Sequence, residues 1–292
     1  MATLTEKVGT TGLRKAVVDK VIKQVAKRKY KFKQAVSIVS TNAWKNSFFR
    51  ETTDVLAGAT GNATKGIPRG AAFPQATVSW DKIDSYIEKY GLEDFIHYED
   101  IITDDIDVQK RTIFKLTEGV VKAVDDEIWE VLTESRPSTT VAIQRVTTTN
   151  GQYWDAASAA IIDDLLAAKQ AIGESNYDVD NLMCFISPKD HRSIVNYVAE
   201  KGAQFDALGT DAARNGRMAG LAGIKFVISN SVTASYALVV VPKTCGTWKA
   251  AVPLSSDIKV EAFKGTRIRI CEMGVTQLTD PLAVCLITPT QG

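Results

Sequence analysis

The stretch Ile101 to Ser135, IITDDIDVQKRTIFKLTEGVVKAVDDEIWEVLTES, decides how the rest of the chain is read. Ile113, Leu116, Val120, Val124, Ile128 and Val131 step by three or four, the spacing that lines one face of an α-helix. Phe114, Val121, Trp129 and Leu132 widen that stripe. The pattern predicts one helix from about Asp107 to Thr133, roughly 40 Å long at 1.5 Å per residue. That exceeds the usual helix of a compact domain. A charged extended segment precedes it and an α/β region follows, an order more natural in a flat tile than in a globular enzyme. Gly119 lies midway, where glycine costs about 1 kcal/mol relative to alanine. Its presence predicts close packing of a strand or neighbour against the helix.

With 292 residues, 45% of them apolar and 24% charged, the chain has material for about two domains and a real core. No apolar run reaches the length of a membrane span. The opening MATLTEKVGTTGLRK lacks the apolar core of a secretory signal, so the expectation is a soluble protein made in the cytosol. Cys184, Cys245, Cys271 and Cys285 form no CxxC pair, which argues against a zinc or redox motif and for buried reduced thiols.

The net charge of +1 is unevenly placed. Residues 1 to 33 carry ten Lys and Arg against Glu6 and Asp19, or +8, which leaves −7 for the remainder. A basic arm on an acidic body fits contact with nucleic acid or an acidic partner surface; a solvated helix face is the plainer alternative. Leu13, Val17, Val21 and Val25, with Val18 and Ile22, predict an amphipathic helix over 13 to 29. Phe32 to Ser40 reads as extended, and Trp44 to Arg50 as a short aromatic-rich segment.

Residues 52 to 76 are rich in Gly, Ala, Thr and Pro without periodicity, and read as a loop. A loop that long inside a compact domain is usually functional or mobile. Partial alternation from Thr77 to His97 predicts strands exposed on at least one side. This excursion lacks apolar residues for a core of its own and needs a neighbour to lie on. Beyond the long helix, a strand is expected at Val141 to Val146, and a helix from Asp155 with Ile161, Leu165, Ala168 and Ile172 on one face and Gly173 at its end. Leu182 to Ile186 reads as a buried strand. Ser187, Pro188 and Asp190 open a helix as N-cap, first-turn proline and acid, and that helix should stop near Gly202. Strands at Ile224 to Ser229, Ala237 to Val241 and Ile258 to Ala262 complete an α/β unit. Strands at Ile268 to Val275 and Ala283 to Thr288 are expected to return to the long helix.

Catalytic chemistry has little to draw on. His97 and His191 sit far apart, and His191 reads as a surface or capping residue. Asp104, Asp105 and Asp107 suit caps at a helix start better than a cation site. Asp125, Asp126 and Glu127 fall on successive helical positions and fan out, so no carboxylate pair is expected. Gly216, Gly220 and Gly223 match neither a dinucleotide fingerprint nor a P-loop and read as turn glycines. Ser187 lacks a nucleophile elbow. No cofactor, metal or catalytic residue is expected. An α/β small-molecule enzyme stays as the reading from another class, to be recognised by a ligand-filled pocket where the strands of 182 to 262 end.

The segment SYIEKYGLEDFIHYEDIITDDIDVQKRTIFKLTEGVVKAVDDEIWEVL, followed by LMCFISPKDHRSI and GRMAGLAGIKFVISNSV, resembles the major capsid proteins of tailed phages and related viruses with the HK97-type fold. The resemblance lies in the order of features from about residue 35 onward. It implies an α+β HK97-like capsid fold with an N-terminal arm, an extended loop, a peripheral domain with a long spine helix, and an α/β axial domain. In this chain it implies an arm at 1–34, a peripheral domain at 35–51 and 77–152 with its spine at 107–133, an extended loop at 52–98, an axial domain at 153–265 and return strands at 266–292.

The function so implied is a non-catalytic subunit that self-assembles through pentamers and hexamers into an icosahedral shell around double-stranded DNA. An encapsulin-like nanocompartment is the alternative. Implied partners are other copies of the chain, portal, scaffold and decoration proteins, and packaged DNA contacted non-specifically, with no membrane. Lys20, Lys23, Lys27, Arg28, Lys29, Lys31 and Lys33 are the candidate DNA-facing or inter-subunit residues. Asn62, Lys65, Arg69 and Trp80 are the candidates in the inter-subunit loop. No motif assigns a cross-link to Asn62 or Lys65. Removal of residues 1 to 33 is expected to impair assembly or DNA retention more than folding.

Overall fold

A computed structural model describes residues 15–51, 69–70, 80–103, 108–134, 143–201, 218 and 220–292. In chain order the helices are α1 (Lys15–Lys29), α2 (Tyr98–Ile102), α3 (Val108–Leu132), α4 (Ile161–Glu174) and α5 (Pro188–Glu200). The strands are β1 (Ser37–Ser40), β2 (Lys45–Glu51), β3 (Trp80–Tyr86), β4 (Glu88–His97), β5 (Gln144–Thr147), β6 (Leu182–Ile186), β7 (Gly220–Leu221), β8 (Ile224–Ile228), β9 (Ala237–Val240), β10 (Gly246–Glu261), β11 (Gly265–Leu278) and β12 (Val284–Thr288). They form a four-stranded sheet in the order β1-β10-β11-β4, a six-stranded sheet in the order β5-β12-β9-β6-β8-β7, and the β2-β3 pair. The chain divides into two compact units, and α3, β10 and β11 each contribute residues to both.

The unit holding α1, β4 and the first part of α3 builds its core from the expected helical faces. Ile22 and Ala26 of α1 and Ile113, Val120, Val121 and Val124 of α3 are buried. β4 runs antiparallel to β11, from His97 opposite Gly265 to Glu88 opposite Gly274. A methyl group at Gly119 would come within 2.4 Å of the Leu92 Cδ1 on β4, which is the close strand approach that glycine implied. Asp19 fastens α1 to β10 by accepting from the Ser256 N–H at 2.8 Å and its hydroxyl at 2.6 Å. Tyr30 donates to the buried Glu272 carboxylate.

The second unit is organised by β6, whose five residues are all buried. β8 lies parallel and β9 antiparallel to it, and β12 lies between β9 and β5. Ser187 caps α5 by accepting from the Asp190 N–H, with Pro188 at the helix start, and α5 stops at Glu200. Ile161, Leu165, Ala168 and Ile172 bury one face of α4. Gly220 and Gly223 sit in the β7-β8 hairpin, where Gly223 takes φ +80° and a Cβ on Gly220 would meet the Ile224 carbonyl at 2.5 Å. Asp104, Asp105, Asp107, Gly202 and Gly216 lie outside the described residues.

Several expectations are corrected. Phe32 to Ser40 is not extended throughout: Phe32–Gln34 is a 3₁₀ turn, with Phe32 buried between Trp129 and Phe185 at ring distances of 5.1 and 4.8 Å. Those aromatic contacts favour a turn over a strand. α4 begins at Ile161 and not Asp155, because the backbone before it is held in turns by the Ala156 N–H to the Tyr153 carbonyl at 3.0 Å and the Ala159 N–H to the Ala156 carbonyl at 3.1 Å. The left-handed residue after α4 is Asn176 at φ 63°, not Gly173. Ile258 to Ala262 belongs to the sixteen-residue β10 beside β11, outside the α/β sheet. β12, assigned above to the return strands, is an inner strand of the six-stranded sheet, and its apolar VCLI run suits burial on both faces. Within the segment expected as an arm at 1–34, the described part is not wholly exposed, since Ile22 and Phe32 are fully buried.

Candidate assembly surfaces

The basic residues of the N-terminal region divide by environment. Lys20 and Lys23 are exposed on α1, while the Lys27 and Arg28 side chains lie outside the described set. Lys29 pairs with Glu118 of α3 at 2.6 Å, and that cation holds the Glu118 carboxyl below its ordinary range. The Lys33 ammonium stands 5.1 Å from the centre of the Trp248 ring. Lys31 donates its backbone N–H to Asp125 at 2.7 Å. Three of the candidates are thus tied into this chain's own body.

The β2-β3 hairpin shows clean alternation. Lys45, Ser47 and Phe49 oppose Tyr86, Asp84 and Lys82, and all six are exposed. Asp84 joins that face by accepting from Lys45 at 2.7 Å and Ser47 at 2.5 Å. The hydrogen bond and charge of Lys45 hold Asp84 below the usual carboxylate range, and Asp84 raises Lys45 in return. The other face anchors the root: Arg50, 2% exposed, donates Nε and Nη2 to the Leu278 carbonyl at 3.1 and 2.6 Å, and Gln277 donates to Ser85 at 2.6 Å. An isolated two-stranded ribbon is marginally stable in water. This one presents Trp44, Phe49 and Tyr86 at 64%, 63% and 55% exposure, an aromatic surface without cover among the described residues. Trp80 lies on β3, although its side chain is outside the described set, and Arg69 is exposed. Asn62 and Lys65 lie outside the described residues.

Sequence reading missed the buried carboxylates that fix these segments. Asp125, 4% exposed, receives the turn after α1 through backbone N–H groups, and burial pushes its carboxyl up to about 6. Asp164, 1% exposed, accepts from the Thr149 N–H at 2.7 Å, the Thr149 hydroxyl at 2.6 Å and the Trp154 indole at 2.8 Å. Their signal was an acid on an otherwise apolar helix stripe. Asp190 and Ser187 join Gln291, which donates to Ser187 at 2.7 Å. His191 accepts from the Met218 N–H at 3.3 Å. Burial raises the Cys184, Cys245 and Cys285 thiols, the last two to about 12, and Cys271 is half-exposed. Among the described residues no cluster of His, Cys, Asp and Glu could hold a metal ion, and no helix is long and apolar enough to cross a membrane.

The long helix α3, the β2-β3 pair, the four-stranded sheet and the six-stranded α/β sheet match the HK97-like capsid fold. The family model described as phage capsid protein matches residues 81–287, and the chain belongs to that family. It is a capsid shell protein of the virion. Among solved structures the chain is similar to the capsid of Cyanophage P-SCSP1u, at TM-score 0.68 and 14% identity over 100% of this chain and 93% of that one. The capsid of a native GTA particle matches at TM-score 0.63 and 14% identity, covering 99% and 95% of the two chains. A virus-like particle from Pyrococcus furiosus matches at TM-score 0.62 and 12% identity, covering 93% and 98%. No curated protein sequence matches the chain.

Proposed function

We propose that the protein is a major capsid subunit without catalytic activity that assembles in the host cytoplasm, through pentamers and hexamers, into an icosahedral shell enclosing double-stranded DNA. The outward face of the β2-β3 hairpin carries the reading. Phe49 and Tyr86 on that face, with Trp44 beside it, gain cover when the hairpin lies on an adjacent copy. A contact in which one patch meets a different patch on the next copy is heterologous, and such contacts close into rings. Packaged DNA is contacted non-specifically by Lys20 and Lys23, which are exposed on α1. Portal, scaffold and decoration proteins complete the set of partners.

Electron microscopy of the purified chain and of Phe49→Asp tests this. The unaltered chain forms rings and closed particles, whereas the variant stays folded by circular dichroism and fails to close. Closed particles from the variant refute the hairpin's role. The second reading, a nanocompartment shell, is favoured by the likeness to the virus-like particle from Pyrococcus furiosus. Nuclease-protected double-stranded DNA of uniform length inside native particles supports the capsid; particles filled with protein support the compartment.

A further inference from the structure

A groove of about 450 Å³ runs between α1 and α3, with Val21, Val25 and Phe114 as its apolar floor and Gln24, Lys29 and Glu118 along its sides. Phe114 keeps 39% of its surface exposed. The α3 wall carries Arg111, Lys115, Glu118 and Lys122, spaced by four, three and four, so they share one helical face. Arg111, Lys115 and Lys122 are exposed, and the Lys115 side chain is 84% accessible. Glu118, the one acid in that row, is already engaged by Lys29 at 2.6 Å and Lys115 at 3.7 Å. The groove therefore combines an apolar floor with a cationic rim whose single acid is neutralised from within the chain.

We propose that the α1-α3 groove is a docking site for an acidic amphipathic helix of a separate protein. Such a helix sets its apolar face on Val21, Val25 and Phe114 and its carboxylates against Arg111, Lys115 and Lys122. The rim row spans eleven residues, roughly 17 Å of helix, enough to seat about three turns of a partner. DNA fits less well, because a phosphate backbone gains nothing from the apolar floor. A second copy of α1 fits less well too, since Lys20, Lys23 and Lys29 would face a rim of the same sign. This inference does not depend on the shell closing.

The probe is a synthetic eighteen-residue helix with leucines at i, i+3, i+4 and i+7 spacing and glutamates elsewhere, compared with the same helix carrying lysines. Binding to the full-length, unassembled chain is followed by fluorescence anisotropy. The acidic helix is expected to bind at micromolar concentration and at least about tenfold more tightly than the basic one, as two or three rim pairs of modest strength imply. Phe114→Asp should weaken it at least tenfold. Lys115→Glu combined with Lys122→Glu, both on exposed positions, should reverse the preference toward the basic helix. No saturable binding, or a preference unmoved by the charge reversal, overturns the proposal. A thirty-base-pair duplex that binds the same rim independently of Phe114 overturns it in favour of nucleic acid. A change in the oligomeric state of Phe114→Asp without peptide binding overturns it in favour of a contact between copies.

Discussion

Replacing Asp125 by asparagine tests whether the turn after α1 is held on a buried carboxylate. Asp125 is 4% exposed and accepts from the Lys31 N–H at 2.7 Å. Burial raises its pKa from 3.8 to about 6, against the opposing pull of the N–H groups of Lys31, Lys33 and Phe32 and the Lys33 charge. The folded value lies above the unfolded one, so the folded chain binds the proton more tightly. The stability this contributes is full below about pH 3.8 and is lost as pH rises through about 6. A difference of about two units is worth about 3 kcal/mol. Asp125→Asn removes the titration. The amide also places an NH₂ where Oδ1 has no hydrogen-bond partner, a cost of about 1–3 kcal/mol that does not depend on pH.

Urea unfolding of the unassembled chain, followed by tryptophan fluorescence, supplies the assay. Trp129 packs against Phe32 and reports the region directly. All other groups titrate alike in both proteins, so the difference between them isolates Asp125. That difference is expected to swing by about 3 kcal/mol in favour of the variant between pH 3.5 and 7. A difference that stays constant across pH refutes the reasoning.

Arg50→Met removes two hydrogen bonds from a buried guanidinium to the Leu278 carbonyl and is expected to cost about 1.5–3 kcal/mol, read as faster proteolysis at the hairpin root. Gly119→Ala gains about 1 kcal/mol of helix propensity but displaces the Leu92 methyl, an exposed group able to rotate away, so unfolding should show a change within about 1 kcal/mol. A larger loss would mean that Leu92 is held rigid. Iodoacetamide at pH 8, read by mass spectrometry, should label Cys271 well before Cys184, Cys245 and Cys285, whose thiols are buried and raised.

The helices were legible because their signals are local. The three- and four-residue steps from Ile113 to Val131 located α3 to within a residue or two, and Ser187-Pro188-Lys189-Asp190 carried the start of α5. β10 was half missed because Pro253 and the polar run Ser255 to Asp257 interrupt its apolar pattern, and the burial of Ser256 is made tolerable only by Asp19 from α1, which accepts its N–H and hydroxyl. Sheet membership of β12 was not legible at all. Its VCLI run states that it is buried, but its neighbours β5 and β9 are chosen by tertiary packing. Lys29 illustrates the limit at the candidate surfaces. Its charge suggested DNA, and only the fold brings it to Glu118, 89 residues away. β3 and β4 read as part of a segment in need of a neighbour, because alternation without a core is visible in the residues themselves, whereas Trp44 to Arg50 reads only as aromatic-rich and its pairing with β3 was not legible.

In the proposed shell the β2-β3 hairpin is completed by another copy of the chain. A cryo-electron microscopy map of assembled particles tests it most directly. Capsomer rings in which Trp44, Phe49 and Tyr86 are covered by the adjacent subunit are the expected result. A closed shell in which those three side chains remain in solvent, or a chain that stays monomeric under all assembly conditions, would contradict it.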